Sequence, residues 1–145
     1  MTAEAPVPAV PRILVVDDEP LNRQLIEVIL AAEGYELRMA SSGEEALDII
    51  GKSQWDLILL DIMMPGIDGY QVVTRAKANP ATASIPIVLL TALDDASSRA
   101  HGLRAGAADL ITKPVNRAEL VRCVASLIAS PSGPARRRET RRDAY

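Results

Sequence analysis

The sequence predicts an α/β fold in which a single parallel sheet is covered by helices on both faces. Three observations predict it. Short apolar runs without polar alternation recur at residues 13–16, 57–60 and 87–90, as in strands buried on both sides. The intervening stretches carry apolar residues at helical spacing. The runs also stop at polar side chains followed by loops, and parallel sheets bind ligands at that end of their strands. The clearest case is Leu57-Ile58-Leu59-Leu60-Asp61, followed by a loop with Pro65, Gly66 and Gly69.

Taken in order, residues 1–11 read as a disordered leader: three prolines and Glu4, with no basic start of the kind a signal peptide has. Residues 12–16 form a first strand ending at Asp17-Asp18. Pro20 suits the first turn of a helix capped by Asp18 or Glu19. Leu21, Leu25, Val28 and Ala32 share one face of that helix, the expected inward face, and Gly34 stops it. Residues 36–40 form a second strand, and Ser42-Gly43-Glu44-Glu45 is a capping box opening a helix to about Gly51. The strand ending at Asp61 comes third. A third helix starts at Asp68 or Gly69, turns Val72, Val73 and Ala76 inward and ends near Asn79-Pro80. The fourth strand ends at Thr91, a short helix spans 96–105 until Gly106, and the fifth strand, 109–112, ends at Lys113-Pro114. Asn116-Arg117-Ala118-Glu119 is a second capping box, opening a helix striped by Leu120, Cys123, Val124, Leu127 and Ile128. Residues 12–129 thus form one domain and 130–145 a basic, disordered tail.

With no Phe and one Trp, the core is expected to be aliphatic. No apolar run approaches the roughly 20 residues that span a bilayer, and the lone Cys123 makes an internal disulfide impossible; a cytoplasmic protein with a buried, reduced thiol is expected. The net charge is −3, but residues 131–145 carry five Arg against Glu139 and Asp143, so the body is acidic and a poor partner for nucleic acid.

Four strands end in functional side chains, Asp17-Asp18, Asp61, Thr91 and Lys113, whereas the second ends at Ala40-Ser41. The second strand therefore belongs at an edge, as in the flavodoxin-like order 2-1-3-4-5 with five helices. Neighbouring strands lie about 4.8 Å apart, so Asp18 and Asp61 can share one ion. Carboxylates packed together need a proton or a cation, and oxygen donors without His or Cys suit Mg²⁺ or Mn²⁺. Acidic ligands, a hydroxyl and a lysine around one carboxylate suit phosphoryl transfer, with Asp61 as nucleophile. Met63 and Met64 read as loop packing and His101 as a solvated helix residue.

These motifs carry a resemblance. Val15-Val16-Asp17-Asp18-Glu19, Leu59-Leu60-Asp61-Ile62-Met63-Met64-Pro65-Gly66, Leu89-Leu90-Thr91-Ala92 and Ile111-Thr112-Lys113-Pro114 resemble the receiver domain of two-component response regulators. The resemblance implies a stand-alone bacterial receiver, a signalling phosphoprotein rather than an enzyme, which autophosphorylates from small donors and dephosphorylates itself. Asp61 would accept a phosphoryl group from a histidine kinase or histidine phosphotransfer protein. Asp18 would bind Mg²⁺ directly and Asp17 through water, with the Met63 backbone carbonyl as another ligand. Thr91 would turn toward the phosphoryl group, Lys113 would pair with it, and Lys113-Pro114 would be a cis peptide. Output would pass to an unknown downstream protein, from a monomer or a phosphorylation-dependent dimer. One departure is Leu110, which stands where the family usually has a switching Tyr or Phe; output by helix displacement or an apolar surface is expected in its place. Residues 85–95 look like receivers attached to cyclic-dinucleotide enzymes, so a receiver portion of a longer effector is the alternative. A flavodoxin-like ligand-binding module would need a phosphate-cradling first loop where this chain has Asp17-Asp18-Glu19-Pro20. A metal-dependent phosphohydrolase would need a further base and a cap domain.

Overall fold

Strand and helix alternate five times through β1 (Arg12–Val16), α1 (Pro20–Ala31), β2 (Glu36–Ala40), α2 (Gly43–Ile50), β3 (Leu57–Asp61), α3 (Gly69–Ala78), β4 (Ile87–Thr91), α4 (Ala96–Ala105), β5 (Asp109–Thr112) and α5 (Arg117–Ala129). The computed structural model describes residues 10–92 and 95–129. The tail, and the leader apart from Val10 and Pro11, lie outside the described residues. All strand pairs are parallel, and the order is β2-β1-β3-β4-β5, as the strand ends predict.

The pleat divides the core in two, because alternate residues of a strand face opposite sides. Leu14, Val16, Ile58, Leu60, Ile87, Leu89 and Leu110 pack with α2 and α3 and beneath α4. Ile13, Val15, Leu57, Leu59, Val88, Leu90 and Ile111 pack with α1 and α5. The core is aliphatic with one exception, Trp55, which is 2% exposed. Its Nε1–H donates to the Ile49 carbonyl at 3.4 Å, and the Arg12 guanidinium lies 4.4 Å from its ring centroid. Beside it the buried Asp56 accepts the Arg12 N–H at 2.8 Å, joining the entry ends of β1 and β3.

The inward face expected of α1 is wrong. Leu21 and Val28 are 78% and 66% exposed and Leu25 is also exposed, while Ile26, Ile29 and Leu30 are buried. The helix has two apolar stripes, and spacing alone does not rank them. Arg23, one turn before Ile26, donates from Nη1 to the Asp17 carbonyl at 2.7 Å, a bond that goes with the Ile26 stripe facing the sheet. Of the two expected caps of α1, Glu19 occupies the position, without a side-chain capping bond.

Of the two expected capping boxes, α2 has half. Ser42 Oγ accepts the Glu45 N–H at 3.1 Å, but the Glu45 carboxylate accepts the N–H of Ser41, at 2.7 Å, in place of that of Ser42. At α5, Asn116 Oδ1 accepts the Glu119 N–H at 2.9 Å. The full reciprocal box belongs to α3, between Asp68 and Gln71. Val72, Val73 and Ala76 are buried, as their spacing predicts.

Candidate functional site

The strand ends deliver the site. Val15, Leu59 and Ile111 face α1 and α5, so the pleat brings Asp17, Asp61 and Lys113 to the same side. The Lys113 ammonium lies 3.1 Å from Asp17 Oδ2 and 3.1 Å from Asp61 Oδ1. Lys113 is held at this edge by its N–H, which donates to the Thr91 carbonyl at 2.7 Å; the Lys113–Pro114 peptide is cis, as the resemblance implies. Asp17, Asp18 and Asp61 each offer a carboxylate oxygen, and these lie within 4.8 Å of one another. Asp17 and Asp61 are buried and Asp18 is half-buried.

One ammonium stands among three carboxylates. Burial pushes the Asp61 carboxyl above its usual range; the hydrogen bond from Lys113 opposes this and the neighbouring Asp17 reinforces it. Burial alone would lower the Lys113 ammonium, but its hydrogen bond to Asp61 and the charges of Asp17 and Asp61 outweigh that, and its pKa is raised. Lys113 is thus held as a cation between two carboxylates. Asp17 Oδ1 is also engaged, accepting the Glu19 N–H at 2.9 Å. The Met63 N–H donates to Asp61 Oδ1 at 3.4 Å; of the two methionines expected to pack in the loop, Met64 is buried in the core and Met63 is exposed.

Thr91 lies on the other side. It is 1% exposed and shares the pleat face of Leu89, which pairs with Leu110. Thr91 itself pairs with Thr112, so Leu110 is offset from it along the strand. Leu110 belongs to the core beneath α4, and the α5 side chains join the opposite cluster. Cys123 is half-buried, with Sγ 3.6 Å from Asp109 Oδ2. Burial, with Asp109 and Glu119 nearby, pushes its thiol up to about 12, which leaves it unreactive.

Three positions near the site carry more than the sequence suggested. Arg23 and the Glu19 N–H fix Asp17, yet neither belongs to a recognisable spacing. Gly69, which looks like a turn residue after Asp68, contacts the backbone of Asp61 and Ile62.

The family model of the response regulator receiver domain matches residues 13–125. The chain belongs to the response regulator receiver family. It is 47% identical over 116 residues to response regulator PleD of Caulobacter vibrioides, an alignment covering 80% of this chain and 26% of PleD. A structure solved as a candidate response regulator of Chloroflexus aurantiacus superposes with a TM-score of 0.81 at 40% identity, covering 84% of this chain and all of that one. The receiver domain of sensor histidine kinase PA1611 from Pseudomonas aeruginosa, with a magnesium ion in its active-site cleft, does so with a TM-score of 0.78 at 34% identity, again covering 84% of this chain and all of that one. Among the described residues of the present receiver, no helix is long and apolar enough to cross a membrane.

Proposed function

We propose that this receiver takes a phosphoryl group onto Asp61 from a histidine kinase or histidine phosphotransfer protein and signals through protein contacts. The observation that carries this is the Lys113 ammonium between Asp17 and Asp61, with Asp18 beside them. An Asp61 oxygen attacks the phosphorus of a phosphohistidine. The P–O bond forms as the P–N bond breaks, and the imidazole nitrogen leaves with the electron pair. Lys113 stabilises charge on the transferring group, and burial of Asp61 keeps competing water away.

The donor set fits a hard divalent cation: three carboxylate oxygens close together, with no His or Cys in the group. Asp18 and Asp61 would hold Mg²⁺, or Mn²⁺, with the Met63 carbonyl as a further ligand. Both Asp17 oxygens already accept protein hydrogen bonds, which favours contact through water for that residue. Bound there, the ion supplies neutralising charge to the phosphoryl oxygens. The exposed stripe Leu21, Leu25 and Val28 supports a donor surface, because Leu25 lines a cavity of about 60 Å³ with Asp17, Lys113 and Pro114. A phosphohistidine protein seated on this stripe would stand next to the acceptor.

A phosphotransfer profile tests the reading. Radiolabelled histidine kinases of the source organism are mixed with the chain. Rapid transfer from one of them, lost on chelation of Mg²⁺, is expected; no transfer from any would contradict it. A second reading, a receiver within a longer effector, is favoured by one observation: the matched region is a quarter of PleD. The extents of the leader, the domain at 12–129 and the tail, and a cytoplasmic location, belong to this proposal.

A further inference from the structure

We propose that Gly69 is a positioning residue for the acceptor: having no side chain, it lets the first turn of α3 rest on the backbone of Asp61 and Ile62 and so fixes where the Asp61 carboxylate stands. The inference rests on Asp61 being the acceptor. A Cβ added at Gly69 would stand 2.7 Å from the Asp61 carbonyl oxygen and 2.7 Å from Ile62 Cα. Both are backbone atoms, so no change of rotamer clears them. Ordinary contact starts at 3.4 Å, against the 2.7 Å found, so either α3 or the end of β3 would have to retreat by roughly 0.7 Å.

The requirement is one of space and not of backbone angle, since Gly69 is not among the positive-φ glycines, Gly34, Gly66 and Gly106. The Gly69 N–H donates to the Ile62 carbonyl at 2.9 Å and closes the loop that starts at the acceptor. On the other side of the contact, α3 is held firmly. Its cap is the complete Asp68–Gln71 box, and Val72 and Val73 are 0% exposed in the core. The end of β3 is held too: Asp61 pairs with Leu90 of β4, and the Ile62 N–H donates to the Leu90 carbonyl at 3.0 Å, while the Met63 N–H reaches Asp61 Oδ1 over 3.4 Å. With neither side free to retreat, part of the strain falls on the backbone that carries the Asp61 carboxylate, which stands 3.1 Å from the Lys113 ammonium.

Gly102 provides the contrast. A Cβ there would stand 3.0 Å from Leu89 Cδ1 and 3.2 Å from the Leu110 methyls, which are side-chain ends that can repack. A methyl at either glycine crowds the fold, but only the one at Gly69 presses on the acceptor's own backbone.

Gly69→Ala and Gly102→Ala are compared with wild type in the whole chain. Unfolding midpoint and the rate of phosphoryl uptake from acetyl phosphate with Mg²⁺ are measured where each variant is fully folded. Gly69→Ala is expected to react roughly tenfold or more slowly, because small misplacements of reacting groups are costly, while Gly102→Ala reacts at the wild-type rate. Wild-type rate in Gly69→Ala, or equal slowing in both variants, would overturn the proposal. If Gly69→Ala does not fold, amide exchange in wild type decides: beryllofluoride with Mg²⁺ should slow exchange at the Gly69 N–H and leave that of Gly34, at the far end of α1, unchanged, and an indifferent Gly69 would overturn the proposal. A wild type that takes up no phosphoryl group would instead count against Asp61 as acceptor.

Discussion

The buried Asp61 carboxyl has a pKa above its usual value of 3.8. From 3.8 up to that raised value, the folded chain holds a proton that the unfolded chain has released, so stability falls as pH rises through this window. Above it the cost of an ionised, buried Asp61 persists in full. Asp61→Asn removes this cost. Without divalent metal at pH 7, the variant is expected to be more stable than wild type by on the order of 1 kcal/mol, and to lack the component of the pH slope that Asp61 contributes above 3.8. Denaturant unfolding across pH checks this, and an equal or less stable variant would contradict it. The same residue was plain in the sequence because an apolar strand stops at it. The Arg23 and Glu19 contacts to Asp17 were not plain, since backbone atoms take part in both and leave no side-chain signature.

At the scale of elements, α1 and α4 are where spacing says least about which side packs inward. The exposed stripe of α1 was visible as a pattern but its side was not, because Ile26, Ile29 and Leu30 form a second stripe of equal quality. Leu21→Asp with Val28→Asp should leave stability within about 0.5 kcal/mol and leave acceptance from acetyl phosphate intact. Transfer from the cognate histidine protein should fall at least tenfold, by about 1.4 kcal/mol or more. Stopped-flow transfer assays check this, and unchanged transfer would place the donor elsewhere. In α4 the single buried residue is Gly102, seated against Leu89 and Leu110. The close approach at Gly102 depends on tertiary packing that sequence spacing does not encode. Leu110 is 4% exposed, with its methyls 3.2 Å from where a Gly102 Cβ would stand, so the space for a larger ring is small. Leu110→Tyr is therefore expected to cost about 1–3 kcal/mol through overpacking and to raise amide exchange in α4. A neutral substitution would mean that α4 yields freely.

Over the whole molecule, the fold was legible because three kinds of signal agreed: buried strands, helix spacing and turn chemistry. The strand order followed from which strands end in functional side chains, and the sheet β2-β1-β3-β4-β5 puts those four side by side. The division between faces required the structure, since it depends on register. Asp17, Asp61 and Lys113 lie on the α1–α5 side, while Thr91 shares the α4 side with Leu89 and Leu110. On the proposed function, a signal from Asp61 would have to cross the sheet to reach Thr91 and the Leu89–Leu110 pair beneath α4. The central claim is that Asp61 alone receives the phosphoryl group, and intact-mass measurement after incubation with acetyl phosphate tests it most directly. Wild type with Mg²⁺ should gain one phosphoryl group, and wild type with chelator and Asp61→Asn with Mg²⁺ should gain none. Undiminished phosphorylation of Asp61→Asn would contradict the account.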